Sequence, residues 1–116
     1  MKILIVGEEH SSKILVDYLE RSYGGYQCTT TTTQEEAVKL LTEEKFDALI
    51  TAYRLDAGNG ITLLEKCSQF PGLLMFLWTV DESVRFRALT LNAIFVPKKH
   101  FKMIPEILKA GRDKLK

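Results

Sequence analysis

The strongest constraint on the fold of this chain is the alternation of two hydrophobic patterns, one typical of strands and one typical of helices. Short apolar runs of strand length are each followed by a segment with the three- and four-residue spacing of an amphipathic helix. Strands that alternate with helices in this way predict one parallel sheet covered on both faces and joined by right-handed crossovers. The predicted strands are 2–6, 26–31, 46–52, 73–78 and 93–96; the predicted helices are 11–22, one opened by Thr33 as its cap, 60–68, 81–91 and 101–115.

Length and charge narrow the class of protein. A chain of 116 residues is of single-domain size, so we expect one domain over 1–116. Sixteen basic and fifteen acidic residues balance to +1, which favours neither direct nucleic-acid binding nor disorder. No apolar stretch approaches the roughly 18 residues of a membrane span. We therefore expect a cytoplasmic protein with no membrane contact, in which Cys28 and Cys67 are free, buried thiols.

In parallel sheets, ligand sites lie beyond the carboxyl ends of the strands. The loops to consider are 7–10, 52–60, 79–82 and 97–100. The first of them, GEEH, lacks the GxGxxG of a dinucleotide site and the GK[ST] of a phosphate loop. This counts against a flavodoxin-like domain that binds a small ligand such as a nucleotide or flavin. The third predicted strand ends at Ala52, a residue without reactive chemistry.

The order of several residues resembles that of the receiver domains of bacterial two-component response regulators, over the whole chain. FDALITA matches a strand in which an aspartate precedes the phosphoacceptor by five residues, and LDAGNG matches the loop after it. Phe95 matches the aromatic residue of the fifth strand, and Lys98 matches the lysine just after that strand. Thr79 matches the Thr or Ser that ends the fourth strand; Trp78 takes that place if the register shifts by one residue.

This resemblance implies a flavodoxin-like (CheY-like) (βα)5 three-layer sandwich with a five-stranded parallel sheet. It places the phosphoacceptor at Ala52 and an acidic pair at Gly7 and Glu8. Aspartyl phosphorylation needs a carboxylate nucleophile and Mg²⁺ held by oxygen ligands. Because Ala52 and Gly7 provide neither, we predict a degenerate phosphoacceptor site without catalytic residues, metal or cofactor. Lys99 also replaces the proline usual in the family.

Other side chains around this site leave alternatives open. Without a phosphoryl group, we expect Lys98 to form an ion pair with Glu8, and Thr79 to bond backbone at its strand end. Asp56, four residues past the acceptor position, is an alternative acceptor. A metal site built from His10 and Glu8 is a less favoured alternative.

The predicted fourth helix has two distinct faces. At 100° per residue, Val84, Ala88 and Leu91 share one face, and Phe86 and Leu89 point roughly the opposite way. An exposed Phe–Leu pair indicates a protein contact; the alternative is that these side chains fold under a neighbouring helix.

The receiver resemblance implies the same surface. In that family the helix 81–91, the strand 93–96 and the helix 101–115 form the common partner or dimer face. The segment 98–116 holds six lysines and one arginine, a charge run typical of a solvated face rather than of a nucleic-acid site.

Taken together, the residues predict a non-enzymatic pseudo-receiver. We expect it to act in two-component or phosphorelay signalling through phosphorylation-independent contacts, with a protein partner or a second copy of itself. The alternatives are a phosphoacceptor switch that uses Asp56 and a small-ligand-binding flavodoxin-like domain.

Overall fold

The computed structural model describes residues 1–22 and 25–114, in which the predicted alternation of strands and helices is confirmed. The strands are β1 Lys2–Val6, β2 Gln27–Thr31, β3 Ala48–Thr51, β4 Leu74–Thr79 and β5 Ile94–Pro97. The helices are α1 Glu9–Ser22, α2 Gln34–Glu43, α3 Gly60–Cys67, α4 Arg85–Thr90 and α5 Ile104–Lys114.

The strands form one parallel sheet in the order β2-β1-β3-β4-β5. The chain therefore starts near the middle of the sheet, winds outward to β2, and returns past β1 to build the other side. This is the flavodoxin-like α/β architecture expected from the sequence. Because all strands run in one direction, the loops after β1, β3, β4 and β5 meet at one edge of the sheet.

Side chains alternate between two apolar layers on the two faces of the sheet. Leu4 and Leu49 lie in the layer covered by α2, α3 and α4, whereas Ile5 and Ile50 lie in the layer covered by α1 and α5. All five positions of β4 after Leu74 are buried, which confirms the prediction that this strand is covered on both faces.

Local capping positions the helices that border the carboxyl edge. The Thr33 hydroxyl accepts a hydrogen bond from the Glu36 N–H at 3.2 Å, as the sequence predicts for the start of α2. Asn59 caps α3 by accepting from the Thr62 N–H at 2.9 Å. A Cβ on Gly60 would lie 2.1 Å from the Ala52 carbonyl oxygen, so only glycine allows α3 to start this close to β3.

The predicted helix 81–91 is shorter in the structure. A 3-10 turn, Glu82–Val84, precedes α4, because the Asp81 carboxylate accepts from the Ser83 N–H at 3.0 Å and tightens the first turn. Asn92, with φ of 60°, ends the helix in the left-handed region.

Two other helices also differ from the prediction. The predicted helix 101–115 is preceded by 3-10 turns over Lys98–Met103, interrupted by the non-helical His100, and it becomes α-helical at Ile104. Pro105 lies in the first turn, where its missing N–H costs little. In α1 the helical spacing of the sequence groups Ile14 with Leu15 and Leu19 on one face, but Ile14 is 46% exposed, since the buried stripe runs through Ser12, Leu15 and Leu19. Residue 115, the predicted end of the last helix, lies outside the described residues.

Both cysteines are free thiols, as predicted, but only Cys67 is buried as expected, because Cys28 lies on the edge strand β2. Cys67 is buried and Cys28 is half-buried, and burial raises the pKa of each thiol to about 11. Among the described residues, no helix is both long enough and apolar enough to cross a membrane.

Candidate functional site

An open cleft of about 510 Å³ lies at the carboxyl edge of the sheet. It is bordered by the first residues of the loops after β1, β3, β4 and β5, where the sequence places the degenerate site. Its lining residues are Glu8, Ala52, Tyr53, Arg54, Trp78, Thr79, Val80, Asp81 and Lys98. A second cleft of about 620 Å³ lies at the opposite end of the strands, between 41–47 and 70–73.

Gly7 and Ala52 face each other at the bottom of the site. The Ala52 N–H donates to the Val6 carbonyl at 2.8 Å, which extends the pairing of β3 with β1 beyond Thr51. A Cβ built on Gly7 would lie 3.1 Å from the Ala52 Cβ. The structure therefore brings together the two positions at which the receiver resemblance expects carboxylates, and neither residue carries one.

Glu8 caps its own helix. Its carboxylate accepts hydrogen bonds from the His10 N–H at 2.8 Å, the Ser11 N–H at 3.0 Å and the Ser11 hydroxyl at 2.9 Å. These bonds, led by that from the His10 N–H, lower the pKa of Glu8 below its usual 4.5. The Glu8 carboxylate thus caps the N-terminus of α1.

The predicted ion pair between Lys98 and Glu8 is wrong. Among the described residues, the ion pairs within 4.0 Å join Lys2 to Glu44, Arg85 to Glu82, and Arg87 to Glu65. The Lys98 ammonium instead lies 4.5 Å from the centre of the Trp78 ring. Partial burial lowers the pKa of Lys98, while the charge of Glu8, acting at longer range, opposes that shift.

Strand register places Trp78, rather than Thr79, on the same sheet face as Ala52. Thr51 pairs with Leu77, so the next positions along the two strands are Ala52 and Trp78, and Thr79 points to the other face. The geometry therefore favours the Trp78 alternative over the Thr79 match. The Thr79 hydroxyl accepts from the Asp81 N–H at 3.2 Å, a backbone bond of the kind expected for it.

Trp78 also fixes the loop that carries Lys98. Its indole N–H donates to the Lys98 carbonyl at 3.0 Å. Its ring contacts Phe101 edge-on at 6.3 Å between centroids, and Phe101 contacts Tyr18 of α1 at 5.2 Å. The sequence indicates Trp78 only as a register alternative. It does not single out Tyr53 and Arg54, although they lie one and two residues beyond Ala52.

Three other residues that could act as phosphoacceptor or metal ligand, Asp56, Asp47 and His10, do not line the cleft. The Asp56 N–H donates to the Thr32 carbonyl at 3.2 Å, which anchors its loop on the β2 side, and Asp56 does not line the cleft. Asp47 accepts from the Lys2 N–H at 2.8 Å at the opposite end of the strands. His10 is exposed.

The residues of the site do not fit Mg²⁺. This ion requires several oxygen ligands in octahedral geometry. Gly7 and Ala52 offer no side-chain oxygen, and both oxygens of Glu8 already accept hydrogen bonds. In the described part of the chain, no group of three or more His, Cys, Asp and Glu residues could hold a metal ion.

The two faces predicted for the fourth helix are confirmed. Val84 and Ala88 are buried, whereas Phe86 is 79% and Leu89 54% exposed. Phe95 of β5 is buried in the core, and the Arg85 guanidinium lies 5.0 Å from the centre of its ring. An apolar pair thus projects from α4 into solvent, beside the edge strand β5.

Comparison with known proteins gives the fold a family context. No protein-family model matches the sequence, and a search of curated proteins returned no match. Solved structures do match over nearly the full chain. The chain has the receiver-domain fold.

Three of these receiver-fold structures illustrate the likeness. The response regulatory domain of mrkE from Klebsiella pneumoniae has 20% identity and a TM-score of 0.85, covering 98% of this chain and 97% of that one. The HemR receiver domain from Leptospira biflexa has 28% identity and a TM-score of 0.78, with coverages of 95% and 92%. The response regulator TrrA from Thermotoga maritima, in complex with Mg²⁺ and BeF, has 20% identity and a TM-score of 0.82, with coverages of 95% and 97%.

Proposed function

We propose that this protein is a pseudo-receiver, a module of two-component-type signalling that acts through protein contacts without being phosphorylated. One observation carries the proposal. Positions 7 and 52 face each other at the carboxyl edge of the sheet, and a Cβ on Gly7 would lie 3.1 Å from the Ala52 Cβ. A receiver that accepts a phosphoryl group needs a carboxylate nucleophile and Mg²⁺ ligands here, and these residues supply neither.

The proposed output surface consists of α4, β5 and α5. Phe86 and Leu89 project from α4, although the rest of that helix is anchored by Val84 and Ala88. Large exposed apolar side chains on an otherwise packed helix favour a protein contact. We propose that this face holds a protein partner or a second copy of the chain, and that the protein catalyses no reaction.

The first test is phosphorylation itself. The protein is incubated with acetyl phosphate and Mg²⁺, and its intact mass is measured. We expect no added phosphoryl group, and we expect calorimetric titration to detect no Mg²⁺ binding at millimolar concentration. The variant carrying both Gly7→Asp and Ala52→Asp is the positive control. A wild-type gain of one phosphoryl group, whether on Asp56 or elsewhere, would overturn the proposal.

The second test concerns the surface. Wild type and the Phe86→Ala/Leu89→Ala variant are compared in capture of partners from the source cells and in sedimentation velocity, with and without acetyl phosphate. We expect association of the wild type to be independent of acetyl phosphate and to be lost in the variant. Association that requires the phosphodonor would contradict the proposed mechanism.

A further inference from the structure

The cleft beside Ala52 has the size of a small-molecule site. Its volume of about 510 Å³ lies within the usual range for ligand sites, roughly 300–1,000 Å³. Its apolar surface comes from Ala52, Tyr53, Trp78 and Val80, which belong to the loops after β3 and β4. Because Gly7 and Ala52 carry no carboxylate, neither residue places a negative charge on this apolar part of the site.

The two carboxylates that border the cleft are already engaged. Glu8 accepts three hydrogen bonds from His10 and Ser11 at the start of α1. Asp81 accepts from the N–H and the hydroxyl of Ser83 through Oδ1, and these bonds, with a smaller contribution from the charge of Arg54, lower the pKa of Asp81. Both oxygens of Glu8 and one oxygen of Asp81 are therefore directed at their own loops.

The two cationic side chains of the cleft, Lys98 and Arg54, have N–H donors that are available to a ligand. Within the described ranges, neither Lys98 nor Arg54 lies within 4.0 Å of a carboxylate. Lys98 is partly buried against the face of Trp78, and this burial lowers its pKa, an effect that a bound anion would oppose together with the charge of Glu8. Arg54 adds a planar fork of N–H groups suited to a carboxylate or a phosphate.

We propose that this cleft binds a small organic anion in which a carboxylate or phosphate group is attached to an apolar ring. Lys98 and Arg54 bind the anionic group, and the ring lies against Ala52, Tyr53 and Trp78. The binding is non-covalent and requires no metal ion. This site goes beyond the proposed protein contact, because it lies at the carboxyl edge of the sheet and needs no partner.

The protein carries its own reporter for this site. Trp78 is its single tryptophan, and it forms part of the wall of the cleft. Phenyl phosphate and benzoate are titrated at constant ionic strength, with benzyl alcohol as the neutral probe and inorganic phosphate as the ring-free probe. Tryptophan emission is followed, together with the two-dimensional NMR signals of the Trp78 indole N–H and the Gly7 amide.

We expect at least one ring-bearing anion to bind saturably, with a Kd of about 1 mM or tighter. Phenyl phosphate and benzoate distinguish a phosphate from a carboxylate ligand. Lys98→Gln and Arg54→Gln should each weaken that binding about tenfold, the loss of one charge-assisted contact. Lys99→Gln is the matched control, since Lys99 is exposed and does not line the cleft. Benzyl alcohol and inorganic phosphate should each bind about tenfold more weakly than the anion that carries both groups.

Three results would overturn the proposal. The first is no saturable response to either anion at about ten times the expected Kd. The second is equal binding by wild type and the Arg54→Gln variant. Because Arg54 is exposed, this variant keeps the test valid even if Lys98→Gln disturbs the packing on Trp78. The third is a set of NMR shifts confined to residues outside the cleft. None of these three results depends on the outcome of the partner-capture experiment that tests the proposed function.

Discussion

Phe86 offers the sharpest test of the proposed contact surface, because its contributions to folding and to binding should separate. The side chain is 79% exposed, so only about a fifth of it is buried. Complete burial of such a side chain contributes roughly 1.5–3 kcal/mol, so Phe86→Ala should remove only about 0.3–0.6 kcal/mol. The higher helix propensity of alanine offsets about half a kcal/mol of that loss. Phe86→Ala should therefore leave the free energy of unfolding almost unchanged.

Leu89→Ala and Phe95→Ala extend this comparison along the same edge of the molecule. Leu89 is 54% exposed, and by the same reasoning its truncation should cost about 0.7–1.4 kcal/mol. Phe95 is only 9% exposed, and truncation of a buried phenylalanine costs about 3–5 kcal/mol. Phe95→Ala thus provides the control for a core position, and the expected order of destabilisation is Phe95, then Leu89, then Phe86.

The assay pairs urea unfolding with association of the folded protein. With typical urea slopes of about 1–3 kcal/mol/M, Phe86→Ala should shift the unfolding midpoint by less than about 0.5 M. Its association with partner or second copy should weaken by more than about 2 kcal/mol if Phe86 is a hot-spot residue. A loss of more than about 2 kcal/mol in stability, with association intact, would refute the reasoning.

Three further predictions concern the carboxyl edge of the sheet. The Ala52→Asp variant should be labelled by acetyl phosphate more slowly than the variant that also carries Gly7→Asp, since only the double variant adds a second metal-binding carboxylate. Equal labelling rates in a mass-spectrometric time course would show that our account of the metal site is wrong. Glu8→Gln should flatten the dependence of stability on pH in acid unfolding experiments, because the lowered pKa of Glu8 contributes stability above its usual 4.5 that is lost as pH falls through the folded value. Thr31→Val should stabilise the protein by about 1–3 kcal/mol in chemical unfolding, because the buried Thr31 hydroxyl, in a residue only 6% exposed, has no hydrogen-bond partner within the described part of the chain. Destabilisation would reveal a partner for that hydroxyl.

Much of the fold and part of the candidate site follow from local sequence. The periodic apolar segments determine where strands and helices form, and strict alternation leaves a parallel sheet as the consistent arrangement. The absence of side-chain oxygens at Gly7 and Ala52 is a property of residue identity, and no tertiary arrangement alters it. Helical spacing also places Phe86 and Leu89 on the face opposite Val84 and Ala88. It leaves open whether a neighbouring helix covers them, and the structure shows both side chains exposed.

The partners of the long side chains at the site depended on the tertiary structure. Whether Trp78 or Thr79 lies on the face of Ala52 is a question of strand register, and a one-residue slip exchanges the two faces. Lys98 and Glu8 are near enough to influence each other, yet backbone N–H groups take the Glu8 carboxylate and the Trp78 ring lies beneath the ammonium. The sequence determines which charged residues border the carboxyl edge. Whether Glu8 caps α1 or pairs with Lys98, and whether Lys98 lies on the Trp78 ring, depends on distances of a few ångströms. Those distances exist only once the strands have paired and the loops have packed.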